Sequence, residues 1–94
     1  MELNYKELEE VSEVLKAMAH PVRLCMVRGL LQNGKCNVTS MQNRLNLPQS
    51  TVSQHIQKLK QAGIIEGERS GLEINYSISE GRVKNLIMAI IHEI

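Results

Sequence analysis

Leu47-Pro48-Gln49-Ser50-Thr51-Val52-Ser53-Gln54-His55-Ile56-Gln57-Lys58-Leu59-Lys60-Gln61-Ala62-Gly63 reads as one helix with two unlike faces. Val52, Ile56 and Leu59 recur at i, i+4 and i+7, so at about 100° per residue they share a narrow stripe that can be buried. The opposite face carries Ser50, Gln54, Gln57 and Gln61, with Ser53, Lys58 and Lys60 on its flanks and no carboxylate. Amide and hydroxyl groups donate and accept toward base edges in a major groove, and ammonium groups are drawn to phosphates whatever the sequence. Pro48 stands near the helix start, where a missing N–H costs little, and Gly63 stands where a helix end calls for positive φ. A solvated amphipathic helix with no partner has the same outline, so the neighbouring segments decide.

Upstream, Thr39-Ser40-Met41-Gln42 has capping-box spacing and opens a short helix that buries Met41 and Leu45. Two helices joined through Asn46-Leu47-Pro48, the second polar outside, form a helix-turn-helix pattern over residues 39–63. Downstream the period changes to two. Leu72, Ile74, Tyr76 and Ile78 alternate with polar residues, and Ile64-Ile65 begins an antiparallel partner. With Ser70-Gly71 as the turn, residues 64–78 form a hairpin that carries Arg69 at its tip, as a wing does beside DNA.

Toward the N-terminus, Asn4 and Glu7 cap a first helix that continues through Leu8, Val11, Leu15 and Met18. Pro21 disfavours a helical His20 but is acceptable as a first helical residue, so a second helix starts there and ends at Asn33-Gly34. Cys25 falls between core positions of this helix. At the other end Ser79 is placed to cap a last helix, in which Val83, Leu86, Ile87, Ile90, Ile91 and Ile94 form a wide apolar stripe. A domain this small cannot cover both terminal helices, so Leu8, Val11, Leu15, Leu86, Ile87, Ile90 and Ile91 are expected to meet their copies across a dimer.

These elements give a mainly α fold with a small β-hairpin (α+β), a winged helix-turn-helix in the order ααααββα. Residues 1–94 make one domain, with 1–18 and 79–94 as dimerisation helices. The chain has no Phe or Trp and only two Tyr, so its core is aliphatic. No apolar run approaches the roughly 20 residues that span a bilayer, and the charged N-terminus is no secretory signal. No membrane partner is expected, and the location is cytoplasmic. Cys25 and Cys36 are then expected as reduced thiols.

The net charge is only +1, but its distribution is lopsided. Residues 1–13 carry −4 and residues 66–94 carry −2, whereas residues 14–65 contain no acidic residue and carry +7. A basic centre flanked by acidic ends can meet phosphates while the ends stay away from them. A protein-only interaction module, the competing reading, has no need to exclude Glu from 52 consecutive residues. An enzyme fits poorly, for the chain has no Asp, no glycine-rich phosphate loop and no paired carboxylates.

The chain resembles the ArsR/SmtB family of winged-helix repressors from about Leu15 to Ile91. The matching pieces are residues 15–24 (LKAMAHPVRL), 47–56 (LPQSTVSQHI), 62–65 (AGII) and Arg69-Ser70-Gly71-Leu72 with Tyr76. The resemblance implies a homodimer on a palindromic operator in double-stranded DNA, blocking transcription and often released by a metal or an oxidant. The chain looks closest to short members without the usual metal motifs. Asn37 and Thr39 stand where many metal sensors carry Cys-x-Cys, with Cys36 one place early, and Arg82 occupies a histidine position of another zinc site that keeps only Glu80 and His92. No metal or cofactor is therefore expected.

Ser50, Ser53 and Gln54 are expected to read bases, with Gln49, Thr51, His55 and Lys58 holding the backbone and Arg69 reaching from the wing. Cys25 and Cys36 are the residues a thiol-based redox response would use, with Lys35 favouring a Cys36 thiolate. The residues name no inducer.

Overall fold

Asn4 opens the first helix by accepting the Glu7 N–H on its Oδ1 at 3.1 Å, as the spacing of the two residues requires. The computed structural model describes residues 4–91. In chain order the elements are α1 (Tyr5–Met18), α2 (Pro21–Asn33), β1 (Cys36–Asn37), α3 (Val38–Leu45), α4 (Gln49–Gln61), β2 (Ile65–Ser70), β3 (Glu73–Ile78) and α5 (Arg82–Ile90). His92 and Ile94 lie outside the described residues.

The break between α1 and α2 follows from Pro21. His20 is pushed into extended backbone (φ −154°, ψ 132°), and its Nδ1 accepts the Val22 N–H at 3.1 Å, capping α2. α3 starts earlier than its Thr39 capping box suggests, because Asn37 Oδ1 takes the Ser40 N–H at 2.8 Å. Asn37 also ends β1, a third strand absent from the expected element order. Two residues cannot display an alternation, and β1 exists only because β3 is beside it: Cys36 pairs with Tyr76 and Asn37 with Asn75. The sheet is antiparallel, ordered β1-β3-β2.

The wing turns one residue later than expected. Ser70 pairs with Glu73, so Gly71 and Leu72 form the turn, Gly71 at φ +65°. Leu72, expected on the buried side of the strand, is fully exposed there, while Tyr76 is buried and Ile74 and Ile78 are half-buried. Gly67, opposite Tyr76, lies so close beneath the sheet's inner side chains that a Cβ would meet Ile74 Cγ2 at 2.8 Å and the Tyr76 ring at 3.0 Å.

The core is aliphatic apart from Tyr76. Its fully buried members Val27, Val52, Leu59, Ile64, Val83 and Ile87 bring together α2, α4, α5 and the start of the wing. α5 is docked differently from its expected role. Ser79 Oγ donates to the Gly63 carbonyl at 2.9 Å and caps nothing; Gly81 holds the N-cap position, and the Glu80 carboxylate accepts the Arg82 N–H at 3.0 Å. Arg82 Nε and Nη2 donate to the same carboxylate at 3.0 and 3.1 Å, and these bonds hold the Glu80 pKa down to about 2.

Ile87, expected in a dimer interface, is instead spent on the chain's own core, where complete burial stabilises by about 1.5–3 kcal/mol. Leu86, Ile91 and Val11 are half-buried, whereas Leu8, Leu15 and Ile90 remain outside. Tyr5 and Met88 join them as exposed apolar side chains on α1 and α5. Among the described residues no helix is long and apolar enough to cross a membrane.

Candidate nucleic-acid interface

α4 is held by one face and offered by the other. Val52 and Leu59 are wholly inaccessible and Ile56 nearly so, which fixes the rotation of the helix about its own axis. Gln49, Ser50, Ser53, Gln54 and Lys58 are consequently exposed, together with Gln57, Lys60 and Gln61. α3 crosses behind them, and the turn between the two helices passes through Asn46 in the left-handed conformation (φ 55°), a position asparagine tolerates. Pro48 precedes α4 in extended backbone (φ −60°, ψ 148°) and leaves its N-terminus without a side-chain cap. The first-turn N–H groups of α4 thus lie beside Gln49 and Ser50, on the end where a phosphate is favoured.

Thr51 and His55, expected to hold the DNA backbone, are half-buried. His55 faces the junction of α1 and α2 as much as solvent. Arg23 Nη1 donates to His55 Nδ1 at 3.3 Å, and Arg23 Nε donates to the Ala17 carbonyl. A guanidinium has no acceptor, so Nδ1 is the unprotonated nitrogen and the ring proton sits on Nε2. His20 lies against the same ring, centroids 4.6 Å apart and planes tilted by 50°. Burial first, and the neighbouring His20 and Arg23 next, push the His55 pKa below its usual value. Only Nε2 is left for an outside partner, and the residue is also a strut between α4 and the α1–α2 corner. Periodicity could not have revealed this contact, since 32 residues separate its partners.

On the wing, strand alternation sorts the charges. Arg69 pairs with Ile74 and shares a face with the Gly67–Tyr76 and Ile65–Ile78 pairs. Glu66, Glu68 and Glu73 fall on the other face, where Glu68 is joined by Lys35 at 3.3 Å across to the segment before β1. Arg69 is exposed and has no hydrogen-bonding or ionic partner among the described residues. It sits one residue pair short of the turn, so Leu72 and Gly71 are the outermost points of the wing.

Cys25 is exposed rather than set among core positions, and Cys36 is half-buried; both are free thiols that border one cavity between α2 and α3. Glu80 is engaged by Arg82, and among the described residues no three His, Cys, Asp or Glu side chains are grouped to hold a metal ion.

A helix-turn-helix domain model matches residues 18–68, the span from the end of α1 into the wing. The chain is 45% identical over 85 residues to the transcriptional repressor PagR of Bacillus anthracis, covering 90% of this chain and 85% of that one. It is 37% identical to the repressor SmtB of Mycobacterium tuberculosis over 86% of this chain and 59% of that protein. The crystal structure of PagR superposes with a TM-score of 0.85, covering 93% and 99% of the two chains. A homodimeric winged helix-turn-helix DNA-binding domain from Mycobacterium bovis, described as a possible ArsR-family transcriptional regulator, superposes with a TM-score of 0.83 at 27% identity, over 96% of this chain and 82% of that one.

Proposed function

Because this chain belongs to the ArsR/SmtB family of winged helix-turn-helix transcriptional repressors, we propose that it silences a promoter by seating α4 in successive major grooves of a palindromic operator as a homodimer. The observation that carries this reading is the outer face of α4: amides, hydroxyls and ammonium groups, rigidly presented by a fully buried inner stripe, inside a stretch without one carboxylate. Ser50, Ser53 and Gln54 contact base edges. Gln49, Thr51, Lys58 and the Nε2 side of His55 hold phosphates, and Arg69, the only cation of the wing, reaches the neighbouring backbone.

The second copy packs against the apolar residues that α1 and α5 leave outside, Leu8, Leu15 and Ile90 at the centre, with Val11, Leu86 and Ile91 at the margin. Two-fold symmetry then holds the two α4 helices roughly 34 Å apart, one turn of DNA. The protein works by occupying DNA in the cytoplasm, with no chemistry of its own.

Binding to a mixed DNA pool at two salt concentrations is the first test. Phosphate-driven binding weakens steeply with salt, and binding that ignores salt contradicts the proposal. Selection from random duplexes is the second, and it should return an inverted repeat.

A further inference from the structure

We propose that the cavity between α2 and α3 is a binding site for a small apolar carboxylate, one ring or a short chain in size, that modulates DNA binding. The cavity measures about 210 Å³ and opens to solvent beside β1. Its floor is the edge of the core, Met26, Leu30 and Met41, and half-buried Leu45 lines it too. A dry cavity of about 150 Å³ accommodates benzene, so this one suits a single ring with a small substituent.

Part of the lining has the opposite character. Arg28 of α2 and Arg44 of α3 also line the cavity, and no lining residue is acidic. Arg44 is exposed in the last turn of α3 and has no hydrogen-bonding or ionic partner among the described residues. An apolar floor beside the Arg44 guanidinium complements an apolar body bearing one carboxylate, which arginine binds through two parallel hydrogen bonds.

Gly29 is an independent sign that the space is kept open. It lies inside α2, where glycine is a poor helix former, and a Cβ added there would meet nothing within 4 Å. No turn or close approach requires a glycine at this point. Its absent side chain is part of the cavity's volume, because Gly29 itself lines the wall.

The location couples the site to DNA. α3 packs on α4 and carries Met41 and Leu45 on the cavity side. A molecule wedged between α2 and α3 therefore shifts the frame against which α4 is held. Binding at the cavity stands on the geometry alone, whereas the modulation of DNA binding rests on the function proposed above.

Benzoate is the probe, titrated into the full chain without DNA and followed by amide chemical shifts of residues 25–45. Saturable shifts centred on Gly29, Cys36 and Met41 are expected, with benzamide, of the same shape but uncharged, at least about tenfold weaker. Arg44→Gln, on an exposed face, should weaken benzoate by a similar factor. Gly29→Leu should remove binding by filling the space, and Gly29→Ala should raise thermal stability while weakening benzoate. Benzoate should also slow alkylation of Cys25 and Cys36 by iodoacetamide in wild type but not in Gly29→Leu.

No saturable shift with benzoate, or shifts unaltered in both Arg44→Gln and Gly29→Leu, would overturn the site. For the coupling, saturating benzoate should change operator affinity, and operator should change benzoate affinity by the same factor. Benzoate that binds and leaves operator affinity unchanged refutes the modulation. A protein that binds benzoate but no DNA at all refutes instead the function on which the modulation rests.

Discussion

The rings of His20 and His55 lie 4.6 Å apart, tilted by 50°, and tie the corner between α1 and α2 to the middle of α4. Arg23 completes the contact by donating to His55 Nδ1, so a third basic group faces the same imidazole. Burial first, and then the positive charge of His20 and Arg23, oppose protonation of His55, which is neutral when its neighbours hold it best.

A pH dependence follows. The folded pKa of His55 is lowered from 6.5 by burial and by its basic neighbours, so the unfolded chain takes up a proton more readily than the folded one. Above the unfolded value both forms are neutral and stability is complete. As pH falls below that value and through the lowered folded one, the contribution of the neutral ring is lost. Urea unfolding between about pH 7 and about pH 5 should show a smaller decline in His55→Gln, which keeps an acceptor and does not titrate. Equal declines in the two proteins would remove His55 as the source.

Base reading and backbone holding should separate on α4. Gln54→Ala should lose about 1–3 kcal/mol on the selected operator and relax preference at one position of each half-site, whereas Lys58→Ala should weaken all DNA alike and flatten the salt slope by about one. Equal losses on operator and random DNA for both variants would contradict the division.

The wing gives a third expectation. Arg69→Glu would replace the only cation of residues 64–78 with a fourth carboxylate, so affinity for a long operator should drop at least tenfold, or about 1.4 kcal/mol, while the melting temperature barely moves. If affinity for a long duplex is unchanged, the wing does not touch DNA.

Gly67→Ala should destabilise by about 1–3 kcal/mol, because the new methyl would press on Ile74 and the Tyr76 ring of the neighbouring strand. The sign is informative, since glycine is otherwise an unfavourable strand residue. A gain in melting temperature would mean the sheet can part at this point.

Dimerisation is tested at Ile90, which is 63% exposed in the single chain. Ile90→Glu should leave secondary structure intact, yet in a two-fold interface the charge would be buried twice without a partner. Sedimentation should show a 10.6 kDa monomer that no longer binds the operator, although no α4 residue is altered. A variant that remains dimeric would place the interface elsewhere.

Local signals in the sequence determined most of the elements. The spacing of Val52, Ile56 and Leu59 decides which way α4 rolls, Asn4 and Pro21 decide where helices begin, and the acid-free middle decides that the exposed face suits an anionic partner. The helical period, the fixed φ of Pro21 and the Asn4 side chain reaching its own helix act over a few residues, the missing carboxylates are a matter of composition, and none needs knowledge of what lies opposite.

Tertiary structure alone decided the partners. β1 is a strand because β3 offers it unpaired backbone groups. Ile87 turns into the chain's own core while Ile90 stays outside, though both belong to one apolar stripe, since that core covers only part of the stripe. His55 Nδ1 is bonded to Arg23, which leaves only Nε2 to face outward, because packing brings together residues far apart in the chain, and no periodicity encodes which of two faces a neighbouring element will fill.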